Sequence, residues 1–403
     1  MQDAFGVLVL LFALFSVTFG CSNVCKTEDH FNVEDYGARS DGHIDDSKAF
    51  LEAWNAACGA STPYPKVIIP AEKTFLVNPL IFRGPCHAPR INFMISGRIV
   101  APKSPSLWNE RDASEWLGFK DVNGLIVDGF GTVDGQGNGW WDQSCRYHPQ
   151  LALKFLSCNE SSIGNLNLIN SAQTHILVTG CNNFKVNNVY IESPGNSPNT
   201  DGIHIHSSRN VVITNSKIGC GDDCISIGDH ISNIQITNVE CGPGHGISIG
   251  SLGRSGNHVQ VENIRVSHAF FNGTTNGARI KTWQVGRGYV RDVIFENLIF
   301  NSVKNPIIID QNYCDIRDAC KELAKSGVGI SNVIYKEISG TSSTGVAINL
   351  NCSRSVPCVG ISMESIELSS TKGGGKLTAN CRSAHGKEIH VIPNPCLLHS
   401  TSL

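Results

Sequence analysis

From about residue 150 the chain repeats one arrangement of apolar and polar positions. An apolar alternation meets an asparagine or another small polar residue, and a second alternation follows. Copies read IGNLNLIN (163–170), VNNVYIES (186–193), VITNSKIG (212–219), IQITNVEC (234–241) and VENIRVSH (261–268). The series continues through IFENLIFN (294–301), VIYKEISG (333–340) and ISMESIEL (361–368). Aligned on Asn165, Asn188, Asn215, Asn238, Asn263 and Asn297, the steps are 23, 27, 23, 25 and 34 residues. Alternation of period two is the mark of a strand, and a repeat in the twenties with irregular insertions is the mark of a solenoid. The pattern therefore predicts an all-β chain of stacked coils. Each coil gives short strands to parallel sheets, with neighbouring coils about 4.8 Å apart. Ile, Val and Leu are expected to point inward. The asparagines are expected inward as well, laddering up the stack to satisfy turn backbone.

An open coil end would expose apolar core and unpaired strand edges, so the stack needs a cap. Ala49, Phe50, Ala53, Trp54 and Ala57 recur at helical spacing, which predicts a short N-terminal capping helix within 31–60. No Pro/Ser-rich linker divides the chain, so residues 21–403 read as one domain.

Composition narrows the class. Only 17% of residues are charged, 41% are hydrophobic, and 40 of 403 are glycine. Such a chain folds, and it is rich in turns. The formal net charge of −3 argues against general binding to nucleic acid or to a membrane surface. The apolar run Phe5–Phe19 is too short for a comfortable span and is followed at once by Cys21, so residues 1–20 read as a secretory signal peptide. Its first residues carry Asp3 and no Lys or Arg, and the competing reading is an uncleaved N-terminal anchor. The 16 cysteines behind it argue for an oxidising compartment and disulfides. Their spacings lack the repeated pairs of a zinc site, and no metal or cofactor is expected. Asn159, Asn272 and Asn351 head glycosylation sequons, and in the last the middle residue, Cys352, is expected to be bridged.

The chemistry concentrates in 199–281. Asn199-Thr-Asp201, Asp222-Asp223, Gly244-His245-Gly246 and Arg279-Ile-Lys281 follow one another. Asp201 to Asp223 is 22 residues, and Asp223 to His245 is another 22. Residues one coil apart are stacked neighbours, so the register brings Asp201, Asp223 and His245 to one face of one sheet. Arg279 and Lys281, two apart, point to the same side of a strand. Each motif alone is ordinary: an Asp-Asp pair is usually a turn, and Arg-Ile-Lys a solvated strand face. Four in this order at coil spacing are not. Carboxylates crowded in a cleft raise one another's pKa, which lets one serve as acid and another as base. That is the requirement for glycosidic bond cleavage. The adjacent cations suit an acidic polysaccharide.

At these motifs the sequence resembles the plant polygalacturonases of glycoside hydrolase family 28, from about Phe31 to about Cys396. Flanking segments agree, among them GTVDGQGNGWW (131–141), GHGISIGSLG (244–253) and IIIDQNYC (307–314). The resemblance implies a right-handed parallel β-helix and inverting hydrolysis of α-1,4-linked galacturonan by a secreted, monomeric cell-wall enzyme. It implies Asp222 as proton donor, its pKa raised by the charges of Asp201 and Asp223, which hold and deprotonate the attacking water. His245 would support these carboxylates, and Arg279 and Lys281 would bind a substrate carboxylate. Tyr313 would contact the sugar, and Asn199 would bond substrate or position Asp201. Disulfides Cys224–Cys241, Cys352–Cys358 and Cys381–Cys396 are also implied, with Cys314–Cys320 suggested by proximity. Three other readings compete: a rhamnogalacturonan or xylogalacturonan hydrolase on the same scaffold, a calcium-dependent pectate lyase, and a non-catalytic wall-binding solenoid.

Overall fold

The period-two segments become strands that pair in parallel with the segment one coil away, and they do so repeatedly along the chain. The structure, a computed structural model, describes residues 29–108, 115–142, 151–314, 327–394 and 396–399. The expected signal peptide at 1–20 lies outside them. Long strands such as Asn182–Glu192, Arg209–Gly219, Ile231–Cys241 and His258–Asn272 stack in register. They line two faces of a parallel β-helix. A third face is built from shorter strands, among them Ile176–Thr179, Ile203–His206, Ile225–Ile227, Ile247–Leu252, Asn276–Trp283 and Asn305–Tyr313. Ile, Val, Leu and Phe from all faces meet in one continuous core.

The asparagines do not point inward. Asn188, Asn215 and Asn238 are exposed at a corner of the coil, each with φ between 52° and 54°. Asparagine tolerates this left-handed backbone better than other non-glycine residues, which is why it recurs where the strand bends. The outward amides do form a ladder: Asn188 Nδ2 donates to Asn165 Oδ1 (2.8 Å), and Asn238 Nδ2 to Asn215 Oδ1 (3.2 Å). Asn263 belongs to a different ladder from the one its spacing predicts. It stacks on Asn233 (3.2 Å) and that on Asn210 (3.0 Å), at a second left-handed position. His268 (φ 52°) takes the step above Asn238, since Thr237 pairs with Ser267.

The expected capping helix is Ser47–Cys58. It buries Phe50, Trp54 and Ala57 completely, with the two aromatic rings against Phe75, Phe82, Phe93 and Phe119. Full burial of each large side chain contributes about 1.5–3 kcal/mol. Trp54 Nε1 donates to the Arg83 carbonyl (3.1 Å), and a disulfide from Cys58 to Cys86 ties the helix to the first coils. Nothing in the repeat predicts that bridge. Cys224–Cys241, Cys352–Cys358 and Cys381–Cys396 form as expected. Cys314 is disulfide-bonded, and its expected partner Cys320 lies outside the described residues. Cys158, Cys181 and Cys220 correct the expectation of general pairing, for all three are buried thiols. Cys158 and Cys181 sit one coil apart and pack as small apolar residues. Among the described residues no helix is long and apolar enough to cross a membrane.

Candidate active site

The third face positions the chemistry. Along the strands at 203–206 and 225–227, isoleucine points into the core and the next side chain points away from it. Pairing of Ile203 with Ile225 and Ile247 fixes the rest: His204 stacks on Ser226, Ser226 on Ser248, and Ser248 on Arg279. The turns that precede these strands carry Asp201, Asp222-Asp223 and His245. They pack closely. A Cβ on Gly221 would lie 1.8 Å from the Ser197 carbonyl, and one on Gly246 (φ 86°) 2.1 Å from the Asn276 carbonyl. Thr200 turns inward, fully buried, and accepts the Gly221 amide (2.9 Å). Asn199, exposed at φ 53°, and Asp201 are left on the outer side.

The predicted residues converge. Ligand-type atoms of Asp222, Asp223 and His245 lie within 4.8 Å of one another. Asp223 is 1% exposed, and three donors hold its carboxylate. Ser248 Oγ (2.8 Å) and Arg279 Nη2 (2.5 Å) reach Oδ1, and Lys281 Nζ (3.0 Å) reaches Oδ2. Arg279 Nε also donates to Ser248 (2.8 Å). Lys281 itself is buried, its ammonium 5.5 Å above the Tyr313 ring, and Tyr313 meets Trp283 edge to face. Arg279 and Lys281 therefore neutralise Asp223 within the cleft. The trio Asp222, Asp223 and His245 also has the spacing to bracket a metal ion, but two cations already on Asp223 oppose one there.

Asp222 corrects one expectation. Burial alone would raise its pKa, but the His245 hydrogen bond and charge, helped by Lys281, hold it below the ordinary value. His245 Nδ1 lies 3.0 Å from Asp222 Oδ1, and the Asp223 amide donates to the same oxygen (2.8 Å). The raised carboxyl is Asp201. Burial, then the charges of Asp222 and Asp223, lift it well above the usual carboxylate range. The spacing argument finds both the converging acids and His245, but not that the imidazole bonds Asp222 and so reverses the expected shift.

Sequence reasoning misses Ser226, Ser248 and His204. Ser226 Oγ donates to Asp201 Oδ2 (2.7 Å), as Ser248 does to Asp223. Their signal is the repeated Ile-Ser-Ile at 225–227 and 247–249, one coil apart. It also misses Asp310, stacked on Lys281 and raised by burial, which accepts Asn351 Nδ2 (3.1 Å). The Asn351 amide is thus committed, and Cys352 in its sequon is bridged. Asn272 is exposed and Asn159 half-buried.

Known proteins resemble this chain in sequence and in fold. A polygalacturonase of Arabidopsis thaliana is 46% identical over 84% of this chain and 77% of its own length. A polygalacturonase of Malus domestica is 42% identical over 88% and 78%. Among solved structures, the endo-xylogalacturonan hydrolase of Aspergillus tubingensis superposes with TM-score 0.75 at 24% identity, over 86% of this chain and 95% of its own. Endopolygalacturonase I of Stereum purpureum gives 0.66 at 19%, over 85% and 98%. These two share the fold, a right-handed parallel β-helix, in line with the strong handedness of parallel crossovers. The family model for glycosyl hydrolases family 28 matches residues 58–391, a span that contains every strand of the cleft and all four of its motifs. The chain belongs to that family.

Proposed function

We propose that the protein is a secreted polygalacturonase that hydrolyses α-1,4-galacturonosidic bonds of homogalacturonan with inversion. The observation that carries this is the cleft cluster of three carboxylates, one imidazole and two cations, Lys281 buried and Arg279 partly so, on a single sheet face. An inverting glycosidase needs one acid for the leaving oxygen and a base that holds water, with no covalent intermediate. Asp222, the less buried of the pair at 222–223, donates the proton. His245 Nδ1, 3.0 Å from Asp222 Oδ1, is placed to return a proton to Asp222 when substrate excludes water. Asp201 and Asp223 hold the attacking water. Arg279 and Lys281 present positive charge toward a galacturonate carboxylate. Tyr313 packs against the sugar, and Asn199, at the rim, bonds it. The chain acts as a monomer in the cell wall after removal of residues 1–20, with Asn159 and Asn272 as the sites open to glycosylation. Light scattering of protein recovered from culture medium tests the monomer and the cleavage together.

The direct test is release of reducing ends from polygalacturonate with EDTA present, read with proton NMR of the first product near pH 5. Hydrolysis that persists and gives a β-anomeric first product is the expected result. An α-anomer would mean retention, an unsaturated product would mean a lyase, and no product would mean a binding protein.

A further inference from the structure

Phe130 stands where the rest of its column is polar. Register through Thr132 and Asn167 places it one coil before Asn165, at the start of the corner that runs on through Asn188, Asn215 and Asn238 to Ser365. Every position of that corner is left-handed, Phe130 included at φ 63°. Bulky residues adopt this backbone rarely and at a cost, and asparagine is among those that tolerate it best. The phenyl does not recover the cost in the core, for Phe130 is 75% exposed. It also leaves the amide ladder without a further acceptor. Asn165 Oδ1 accepts Asn188 Nδ2 (2.8 Å), but Asn165 Nδ2 has no hydrogen-bond partner among the described residues. A strained position that the fold does not need points to a function.

The phenyl borders a depression of about 200 Å³ that Asn165, Asn167, Asn188, Tyr190 and Lys217 also line. Tyr190 is exposed two coils further on, and its hydroxyl donates to Glu192 (2.9 Å), which fixes the ring on the surface. Two coils separate the rings by roughly 10 Å at ~4.8 Å per coil, a distance that an oligosaccharide spans and a single sugar does not. Apolar ring faces suit the C–H groups of a sugar, and the amides suit its hydroxyls. Charge narrows the ligand. No carboxylate lines the depression among the described residues, and its cation, Lys217, is engaged by Glu240 (3.2 Å). A galacturonate carboxylate therefore finds no unpaired partner there. We propose that this corner binds a neutral hexopyranose oligosaccharide, with Phe130 and Tyr190 as stacking platforms and Asn165 Nδ2 as a donor to a sugar hydroxyl.

The site is separate from the cleft. Phe130 leads into the strand Thr132–Asp134 and Tyr190 lies in Asn182–Glu192, both in the larger sheet, whereas the cleft strands belong to the smaller one. Both sites can be filled at once, so the protein rests on a neutral polymer while the cleft works on an acidic one. Binding at the corner does not depend on the hydrolase reading. The competing account is that the phenyl holds the fold, and the column itself supplies the control. Asparagine at position 130 suits the left-handed backbone and offers Asn165 Nδ2 an acceptor.

The test titrates the whole chain, Phe130→Asn and Tyr190→Thr calorimetrically with cellohexaose and with β-1,4-galactohexaose. The wild-type protein should bind at least one of the two saturably, and the one it binds names the source of the ligand. Each substitution should weaken that binding about tenfold, the scale of a single aromatic contact. Phe130→Asn should melt at or above the wild-type temperature and release reducing ends from soluble polygalacturonate at the wild-type rate. Binding of neither hexamer by the wild-type protein overturns the proposal, as does wild-type affinity in Phe130→Asn. A marked fall in the melting temperature of Phe130→Asn makes the phenyl a structural residue and removes the argument. Hexagalacturonate titrated into Asp222→Asn should show no binding that Phe130→Asn abolishes; if it does, the ligand is not neutral. None of these results bears on the hydrolase reading, which fails separately if the wild-type protein releases no reducing ends.

Discussion

Replacing Lys281 by methionine separates two roles that sequence alone merges. A cation reserved for substrate would point to solvent, and its loss would change folding stability by about 0.5 kcal/mol or less. Lys281 is instead 8% exposed, with Nζ 3.0 Å from Asp223 Oδ2, while the other two donors reach Oδ1. Removing one member of a buried pair typically costs about 3–5 kcal/mol, because the other charge stays buried without its partner. Arg279 still bonds the second oxygen at 2.5 Å, so the loss is nearer that of one charged hydrogen bond, about 1.5–3 kcal/mol. Methionine keeps most of the side-chain volume, so a cavity term is small. Lys281→Met should therefore lower stability by ~2 kcal/mol in urea unfolding at pH 5, with the slope m unchanged. The same variant should raise KM for polygalacturonate far more than for a neutral oligosaccharide. A stability change below about 0.5 kcal/mol would refute the buried-pair reasoning, whatever happens to KM.

Asp222→Asn should cut kcat by about 10²–10⁴-fold, some 2.7–5.4 kcal/mol of barrier, with the circular dichroism spectrum unchanged; near-wild-type kcat removes Asp222 as proton donor. Asp201→Asn should make the protein more stable than wild type at pH 7. The folded-state pKa of Asp201 is raised, so stability falls as pH climbs from the unfolded value of 3.8 through the folded one, and the amide escapes that loss. The gain should vanish below pH 3.8, where the carboxyl is protonated in both states, and a gain that persists there contradicts the assignment. Asn238→Val should cost about 1–2 kcal/mol for the left-handed backbone and a further ~0.5–1.5 for the lost bond to Asn215, while Asn238→Gly should lose only the second term. Equal losses in the two variants would mean that backbone conformation is not what selects asparagine there.

Register is legible because a parallel coil turns sequence distance into spatial contact. The step of 22 from Asp201 to Asp223, and again to His245, is the offset at which Ile203 pairs with Ile225 and Ile225 with Ile247. The side on which a residue points is legible only between corners. At Thr237 and Asn238 neither side chain enters the core between buried Ile236 and Val239, so the left-handed corner slips the phase of the alternation. Period two read across that slip turns the asparagines inward and joins Asn263 to the wrong ladder. The Cys58–Cys86 bridge is invisible for a related reason. It joins the cap to the stack, two elements that share no repeat.

The placement of protons lies beyond register altogether. Three carboxylates, Asp201, Asp222 and Asp223, face two cations, Arg279 and Lys281, and both cations hydrogen-bond Asp223. The remaining pair must share what is left. Asp222 has an imidazole 3.0 Å away and stays ionised below its ordinary pKa; Asp201 has only a hydroxyl, is buried beside two anions, and holds its proton more tightly. In the proposed mechanism the raised carboxyl of Asp201 suits it to take a proton from the attacking water, while Asp223, held by three donors, fixes the position of that water. A spacing of 22 residues brings the groups together, but contacts of about three ångströms decide which of them is acid and which is base.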